Sequence, residues 1–496
     1  VNTPHSSPFA LRRLAGAGAI LVGNQLLGMG LLLFAFSTIQ HTFSKADNGT
    51  FFWIQQISGF AFLIVAEMGM NAVVTRLFVE QHDNPSAQDH ILTTFFYVRF
   101  VLWCISALGI LGFVLLTEPS MSLLMMVYAM YLGLAARGTL FRSVLEMRHR
   151  ARNAQLLPAL AGLLDAMLLC GIIVLDRANL TPFRAVVWFT VSAIPGFVIM
   201  LLADAQWRLF LKPFDMVLAK RLVRESMPIF LSLCLLQLQD KVDTIVLDML
   251  YGRETLGAFS AIIRVIAPSV GLLMIIAVVM APAITRFQTT DPERSKFFVL
   301  EGLKITLLAA LACAVALGAL SEEVLWLTAG TSYLSYTLEF AVGAWTLIAS
   351  MAVAYMLAVL TALGKQREAL PMMLVQCVIA LVGNILLTPN FGILGALVVR
   401  IISAVVAATL GLWFLREFVG VSSLAALLLR CGVAIVVMLA ALLLALFVSS
   451  YYSGIAKPVV AVLRGLFLGG IFLGVCVGTG LLRKSDIVQL RSLVKN

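Results

Sequence analysis

Charge is what this sequence has least of. Only 12% of its 496 residues are Asp, Glu, Lys or Arg, where an ordinary soluble domain has about 25%. With 61% hydrophobic residues, the chain reads as an integral membrane protein. No stretch between its apolar runs is long enough to fold as a separate soluble domain. The seven cysteines all fall within apolar runs and show no CxxC spacing. They read as small core residues, not as a disulfide framework. The five histidines are scattered without an HExxH, so no zinc or other metal site is visible. Gly364-Lys365 is followed by Gln366, which lacks the hydroxyl a phosphate-binding loop needs. No cofactor site emerges. The net charge of +10 belongs to no basic domain or nucleic-acid motif, so no nucleic-acid partner is expected.

Long apolar runs fill the space left by charge. A spanning helix needs about 20 apolar residues, so fourteen spans would use about 280. We read spans near 17–39, 51–73, 93–116, 121–141, 157–175, 183–203, 228–250, 256–284, 297–320, 338–362, 371–388, 394–414, 428–450 and 459–482. The run from Ala17 to Ile39 is too long for a signal-peptide core and is taken as the first span. Most of the 35 lysines and arginines then fall on one side of the membrane. By the positive-inside rule that side is the cytoplasm, and both termini are expected there. Two cytoplasmic loops, 142–155 and 204–227, are strongly basic. They suit topology anchoring and attraction to membrane lipids with anionic headgroups. Phe210, Phe214, Val217 and Leu218 suit an amphipathic linker lying on the membrane. On the outer side Ser321-Glu322-Glu323 is acidic, and Leu325–Tyr336 is expected to be irregular or partly re-entrant. Gly465, Gly469, Gly470, Gly474 and Gly478 give the last span small-residue faces.

A weak repeat organises the chain. The second span ends Asn71-Ala72-Val73-Val74-Thr75-Arg76-Leu77-Phe78. The eighth ends Ala281-Pro282-Ala283-Ile284-Thr285-Arg286-Phe287. Each begins at an outer turn with glycine, Gly49 or Gly257. Six spans per half make the repeat parallel, as in secondary transporters whose substrate site lies between the halves. The division expected is an N-terminal lobe at 1–203, a basic linker at 204–227, a C-terminal lobe at 228–427 and two additional spans with a tail at 428–496. The fold class is all-α and polytopic.

The charges inside the spans carry the functional reading. An ionisable side chain at the centre of a spanning helix costs about 2.5–3.5 kcal/mol on insertion scales, so it faces a bundle interior or a wet cavity. The seventh and eighth spans form a hairpin around a polar turn, 251–255. Gln237, Lys241, Thr244 and Asp248 are spaced 4, 3 and 4 apart, which puts them on one face of one helix. By depth, Arg99 and Lys304 lie toward the cytoplasm, Lys241 near the midplane, and Arg264 and Arg400 in the outer half. These five cations could relay an anion. The bland reading pairs them with neighbouring acids: Lys241 with Asp240 or Asp243, and Arg99 with Glu67. The acids Glu67, Asp165, Asp240 and Asp243 are then ion-pair partners, or one of them binds a coupling ion. Asp165, alone on the fifth span, is the better candidate for coupling. Asn24, Gln25, Gln55 and Gln56 could bond between helices.

Three stretches resemble one family. Asp243-Thr244-Ile245-Val246-Leu247, Gly252, and Leu256-Gly257-Ala258-Phe259-Ser260-Ala261 with Arg264 look like its D-x-hydrophobic-hydrophobic-L…G…G-x-Y-S-x-A-x-R stretch, with Phe259 for Tyr. Glu67-Met68-Gly69-Met70-Asn71-Ala72 with Arg76 resembles D-x-G-hydrophobic-x-x-A…R, with Glu67 for Asp. Thr388-Pro389-Asn390-Phe391-Gly392-Ile393-Leu394-Gly395-Ala396 resembles its turn between spans eleven and twelve. The family is the Wzx-type oligosaccharide flippases of the multidrug/oligosaccharidyl-lipid/polysaccharide (MOP) exporter superfamily. The resemblance implies two six-helix lobes in a V around a cavity lined by spans 1, 2, 7 and 8. It implies a polyprenyl-diphosphate-linked oligosaccharide carried from the inner to the outer leaflet of the cytoplasmic membrane, whose sugar hydroxyls Asn24, Gln25, Gln55 and Gln56 could then meet. Polysaccharide polymerase machinery would be a partner, and coupling to H+ or Na+ stays open. The competing readings are a cation-coupled multidrug antiporter, a lipid II flippase and a membrane glycan polymerase or ligase. An enzyme would be expected to carry a large outer loop with catalytic groups, and none is visible, so none is expected.

Overall fold

The computed structural model describes residues 8–62, 70–81, 84–135, 151–203, 213–239, 241–451 and 457–481, all of them helical or in short connections. Among the described residues fifteen α-helices follow in chain order. They are α1 (Pro8–Thr42), α2 (Lys45–Phe62), α3 (Met70–Glu80), α4 (Pro85–Thr117), α5 (Ser122–Ala135), α6 (Ala151–Leu175), α7 (Pro182–Leu202) and α8 (Met216–Gln239). Then come α9 (Val242–Thr290), α10 (Pro292–Ala319), α11 (Ser321–Ala329), α12 (Thr337–Ala362), α13 (Gln366–Val419), α14 (Val421–Tyr451) and α15 (Lys457–Gly478).

Among the described residues, nine helical stretches are long and apolar enough to cross a membrane. Two of them, Gln237–Ala277 and Arg367–Arg416, run across glycine breaks and hold two spans each. Gly252 has φ 74° and ψ −173° inside α9, and Gly392 has φ 56° and ψ −132° inside α13. Positive φ of this kind strains any residue with a Cβ, so glycine sets where these helices turn. Both breaks fall at turns read from the sequence. The shorter apolar helices Leu26–Thr42 and Pro119–Ala135 lie on further predicted spans, and α2 with α3 covers parts of the second. The all-α, multi-pass architecture is therefore the one the hydropathy called for.

Local chemistry fixes several helix starts. Asn84, Thr181 and Asp291 each precede a proline and cap α4, α7 and α10. Their side-chain oxygens accept the backbone N–H of Ala87, Arg184 and Arg294 at 3.1, 3.3 and 3.1 Å. Proline at the first helical position loses no bond, because that N–H has no intrahelical partner anyway. Leu325–Tyr336 departs from the irregular connection expected. It is regular: α11, then Gly330 at φ 89°, then a 3-10 run over Thr331–Tyr336. Glycine stops the helix there, and Tyr333 is buried beneath the run.

By contacts the chain divides into two compact units. The first is Val1–Asp248 with Gly252–Gly257, and the second is Met249–Tyr251 with Ala258–Asn496. The changeover falls at the Gly252 turn. In the first unit α6 packs on α1 and α7, α5 on α7 and α4, α2 on α4 and α5, and α8 on α3 and α4. Phe51 and Phe189 meet at a ring-centroid distance of 5.7 Å in its core. In the second, α12 packs on α10 and α13, while α14 and α15 pack on each other and on α10. Tyr355 is fully buried there and donates its hydroxyl to the Val299 carbonyl at 3.0 Å. Large side chains such as Leu116 and Leu175 are 88% exposed, as lipid-facing residues are.

Candidate functional site: the polar seam of the first unit

The seventh span is not one continuous helix. α8 ends at Gln239 and α9 begins at Val242. Between them the Lys241 N–H bonds to the Leu238 carbonyl at 3.0 Å, a tight i−3 contact in place of the helical i−4 bond. The single helical face expected for Gln237, Lys241, Thr244 and Asp248 is therefore broken at Lys241. The half-buried Lys241 ammonium donates to the Gln56 carbonyl oxygen on α2. A cation and a carboxamide thus meet at one point of the polar seam. Asp243 is 3% exposed and accepts the Thr244 N–H at 2.8 Å. It sits in the first turn of α9, where an anion also complements the helix dipole.

Toward the turn, Arg253 is held from three sides. Its guanidinium lies 4.1 Å from the centre of the Trp53 ring. One terminal nitrogen donates to the Glu118 carboxylate that follows α4, and the other lies 3.3 Å from Asp248. The backbones close up beside it. A Cβ on Gly49 would overlap the Arg253 carbonyl, and a Cβ on Gly257 would overlap the Lys45 carbonyl. Only glycine permits that approach. The sequence shows Arg253 as one residue of a polar turn, Gly49 and Gly257 as markers of the repeat, and Gly257 also as part of the family stretch. The matched glycines were the available signal that two helix ends touch.

The other predicted cations lie on four different helices. Arg99 is 3% exposed on α4, donates to the Asn71 side-chain oxygen at 3.3 Å, and lies 5.6 Å from the Phe95 ring centre. Lys304 donates to Glu301 one turn back on α10 at 2.8 Å, a pairing the i,i+3 spacing already offered. Arg264 is 8% exposed on α9, in the second unit. Arg400 is half-buried on α13, and its carbonyl accepts the Ser403 hydroxyl at 3.1 Å. Gln55 is half-buried on α2. Glu67, Asp240 and the Gln25 side chain lie outside the described residues.

Asp165 is set apart from the seam. It lines a cavity of about 240 Å³ within the first unit, with Tyr131 from α5, Pro158 and Gly162 from α6, and Phe189 and Ser192 from α7. A half-buried carboxyl in a cavity lined also by Ser192, Tyr131 and Phe189 has the chemistry to hold a proton or a small cation. Among the described residues no group of three or more His, Cys, Asp or Glu is placed to hold a metal ion.

Known proteins match this fold and part of the sequence. Residues 14–288 match the family described as "Polysaccharide biosynthesis protein". No curated protein sequence matches the chain. The structure resembles the lipid II flippase MurJ in an inward closed conformation, at TM-score 0.70 and 12% identity over 92% of this chain and 98% of that one. It resembles an inward-facing multidrug resistance MATE family transporter of the MOP superfamily, at TM-score 0.60 and 16% identity over 79% of this chain and 94% of the other. A MOP superfamily transporter from Pyrococcus furiosus aligns at TM-score 0.55 and 18% identity over 83% of this chain and 96% of the other. The chain belongs to the polysaccharide biosynthesis protein family and has the fold of the MOP transporters.

Proposed function

We propose that the protein is a flippase that carries a polyprenyl-diphosphate-linked oligosaccharide from the inner to the outer leaflet of the cytoplasmic membrane by alternating access. The observation that carries this reading is the Lys241–Gln56 contact at an interruption of a spanning helix. A diphosphate cannot cross hydrocarbon bare, so the protein must supply cations and water. Lysine offers phosphate a point charge, and arginine offers two parallel bonds from a planar fork. A carboxamide can bond sugar hydroxyls as donor and acceptor. Lys241 and Gln56 bring both chemistries together, and Arg99, Arg264, Lys304 and Arg400 extend the cationic series. The lobes are those of the sequence repeat, 1–203 and 228–427, with both termini in the cytoplasm and a polysaccharide polymerase downstream. A diphosphate leaving a negative cytoplasm is helped by about 2.3 kcal/mol per elementary charge per 100 mV.

A second role is assigned to Asp165. Its cavity with Tyr131 and Ser192 suits a coupling proton or sodium ion. The same acidic, aromatic surroundings favour cation export as the competing function.

The test is lipid-linked sugar in cells lacking the protein, with the outer-leaflet fraction measured separately. Accumulation of a complete diphosphate-linked repeat facing the cytoplasm, with polymer lost, supports the flippase. Normal polymer with no such intermediate rejects it and leaves cation export in front.

A further inference from the structure

The start of α8 has two chemically different faces. On one, Arg221 donates to Glu225 at 2.8 Å and Arg76 from α3 donates to the same carboxylate. Asp215 is also committed, since its carboxylate accepts the N–H groups of Val217 and Leu218 at 2.8 and 3.1 Å and caps the helix. The other face carries Lys220 and Arg224, four residues apart and both exposed. Neither makes an ion pair or hydrogen bond with the other described residues. A four-residue spacing sets their Cβ atoms about 5–6 Å apart, close enough for one phosphodiester to bridge.

These two cations stand at the rim of a cavity of about 680 Å³ between α4 and α8. Its walls are apolar: Val98, Val101 and Leu102 from α4, and Val223 and Met227 from α8. Phe214 closes one edge and packs against Tyr97 with ring centres 5.8 Å apart. Val101 is 53% exposed and Met227 is 39% exposed, so the walls need an apolar covering. Such a site asks for one molecule with an anionic head and a hydrocarbon body. Water satisfies only the cations, and a neutral chain satisfies only the walls.

We propose that this cleft is a binding site for an anionic glycerophospholipid, with Lys220 and Arg224 on its phosphate and the α4–α8 walls around its acyl chains. The binding itself does not depend on the flippase reading. Only the leaflet, the cytoplasmic one, rests on the topology given there. The occupant would tie the basic linker to the third span through lipid.

Native mass spectrometry on the purified full chain from nanodiscs tests the site, with phosphatidylglycerol against phosphatidylcholine as probes. The expected result is retained phosphatidylglycerol, with a preference that falls about fivefold for each cation removed, following the usual worth of one basic side chain at an anionic surface. Lys220→Gln with Arg224→Gln should therefore lose most of it. Arg177→Gln with Arg367→Gln, which neutralises two exposed arginines elsewhere, should not. Should the double variant fail to stay monodisperse, photo-crosslinking the native chain with a diazirine phosphatidylglycerol decides. Labelled peptides should include Val101 or Met227, and excess unlabelled phosphatidylglycerol should suppress the label. Equal retention of the two lipids, an unchanged preference in the double variant, labelling elsewhere, or full competition by free glycerol phosphate would each overturn the proposal.

Discussion

Replacing Arg253 with alanine strips three contacts from one point. The guanidinium leaves the Trp53 ring, 4.1 Å away, and also leaves Glu118 and Asp248. A cation–π contact is worth about 0.5 kcal/mol when exposed and about 2 when desolvated. Breaking a fully buried ion pair costs about 3–5 kcal/mol, because a charge is stranded. The Arg253, Glu118 and Asp248 side chains keep 18, 31 and 17% of their exposure. Water therefore still screens them, and the ion-pair part belongs nearer the roughly 1 kcal/mol of a good surface pair. The expected loss for Arg253→Ala is about 1–3 kcal/mol. Its sign is testable through the stranded acids: adding Glu118→Gln to Arg253→Ala should restore part of the loss. Thermal unfolding of the purified chain, followed by tryptophan fluorescence, reads both effects in a double-mutant cycle. Coupling between contacting residues is usually about 0.5–3 kcal/mol. Arg253→Lys should fall between wild type and alanine, since an ammonium keeps the charge but loses the flat stack. If Arg253→Ala unfolds at the wild-type temperature and the cycle is additive, the cluster contributes no stability and the reasoning fails.

Three further outcomes follow from the same geometry. Gly257→Ala drives a methyl group into the Lys45 carbonyl and should cost about 1–3 kcal/mol by overpacking; an unaltered unfolding temperature would mean the α2–α9 approach is looser than described. Asp165→Asn should fold and reach the membrane normally, yet make transport insensitive to the H+ or Na+ gradient; retained gradient dependence in vesicles removes Asp165 from coupling. Glu225 has its carboxyl held below the usual range first by the hydrogen bond from Arg221, with the charges of Arg221 and Arg76 adding to it. A lowered folded pKa makes its stabilisation fully present above the unfolded value and lost only as pH falls through the folded one. Unfolding temperature should therefore decline less steeply with acidification in Glu225→Gln than in wild type below about pH 4.5, and parallel curves would contradict the pairing.

Hydropathy and glycine made the architecture legible. The turns at Gly252 and Gly392 stand where polar, glycine-containing segments interrupt apolar runs, and both carry positive φ. The acidic Ser321-Glu322-Glu323 segment finds its counter-charge at the start of the last span, where Arg464 contacts Glu323 at 2.9 Å. What hid was tertiary. Periodicity puts Lys241 on an unbroken helical face, because it assumes a regular helix and cannot register a break such as the one before Val242. Arg253 is invisible to it because Trp53, Glu118 and Asp248 reach that side chain from three places in the chain. Depth alone makes Lys304 part of a relay, although Glu301 stands three residues away, a spacing that brings side chains together on any helix. Sequence periodicity finds neighbours along one element, whereas a site built from several helices depends on packing between them.

The most direct measurement of the central claim is translocation by the purified protein in proteoliposomes, using a fluorescent polyprenyl-diphosphate oligosaccharide and a membrane-impermeant quencher. Wild type should move the label between leaflets, and Lys241→Gln should lower the rate at least tenfold, with Lys241→Arg retaining part of it. Equal rates in Lys241→Gln and wild type, or no movement above protein-free vesicles, would contradict the account.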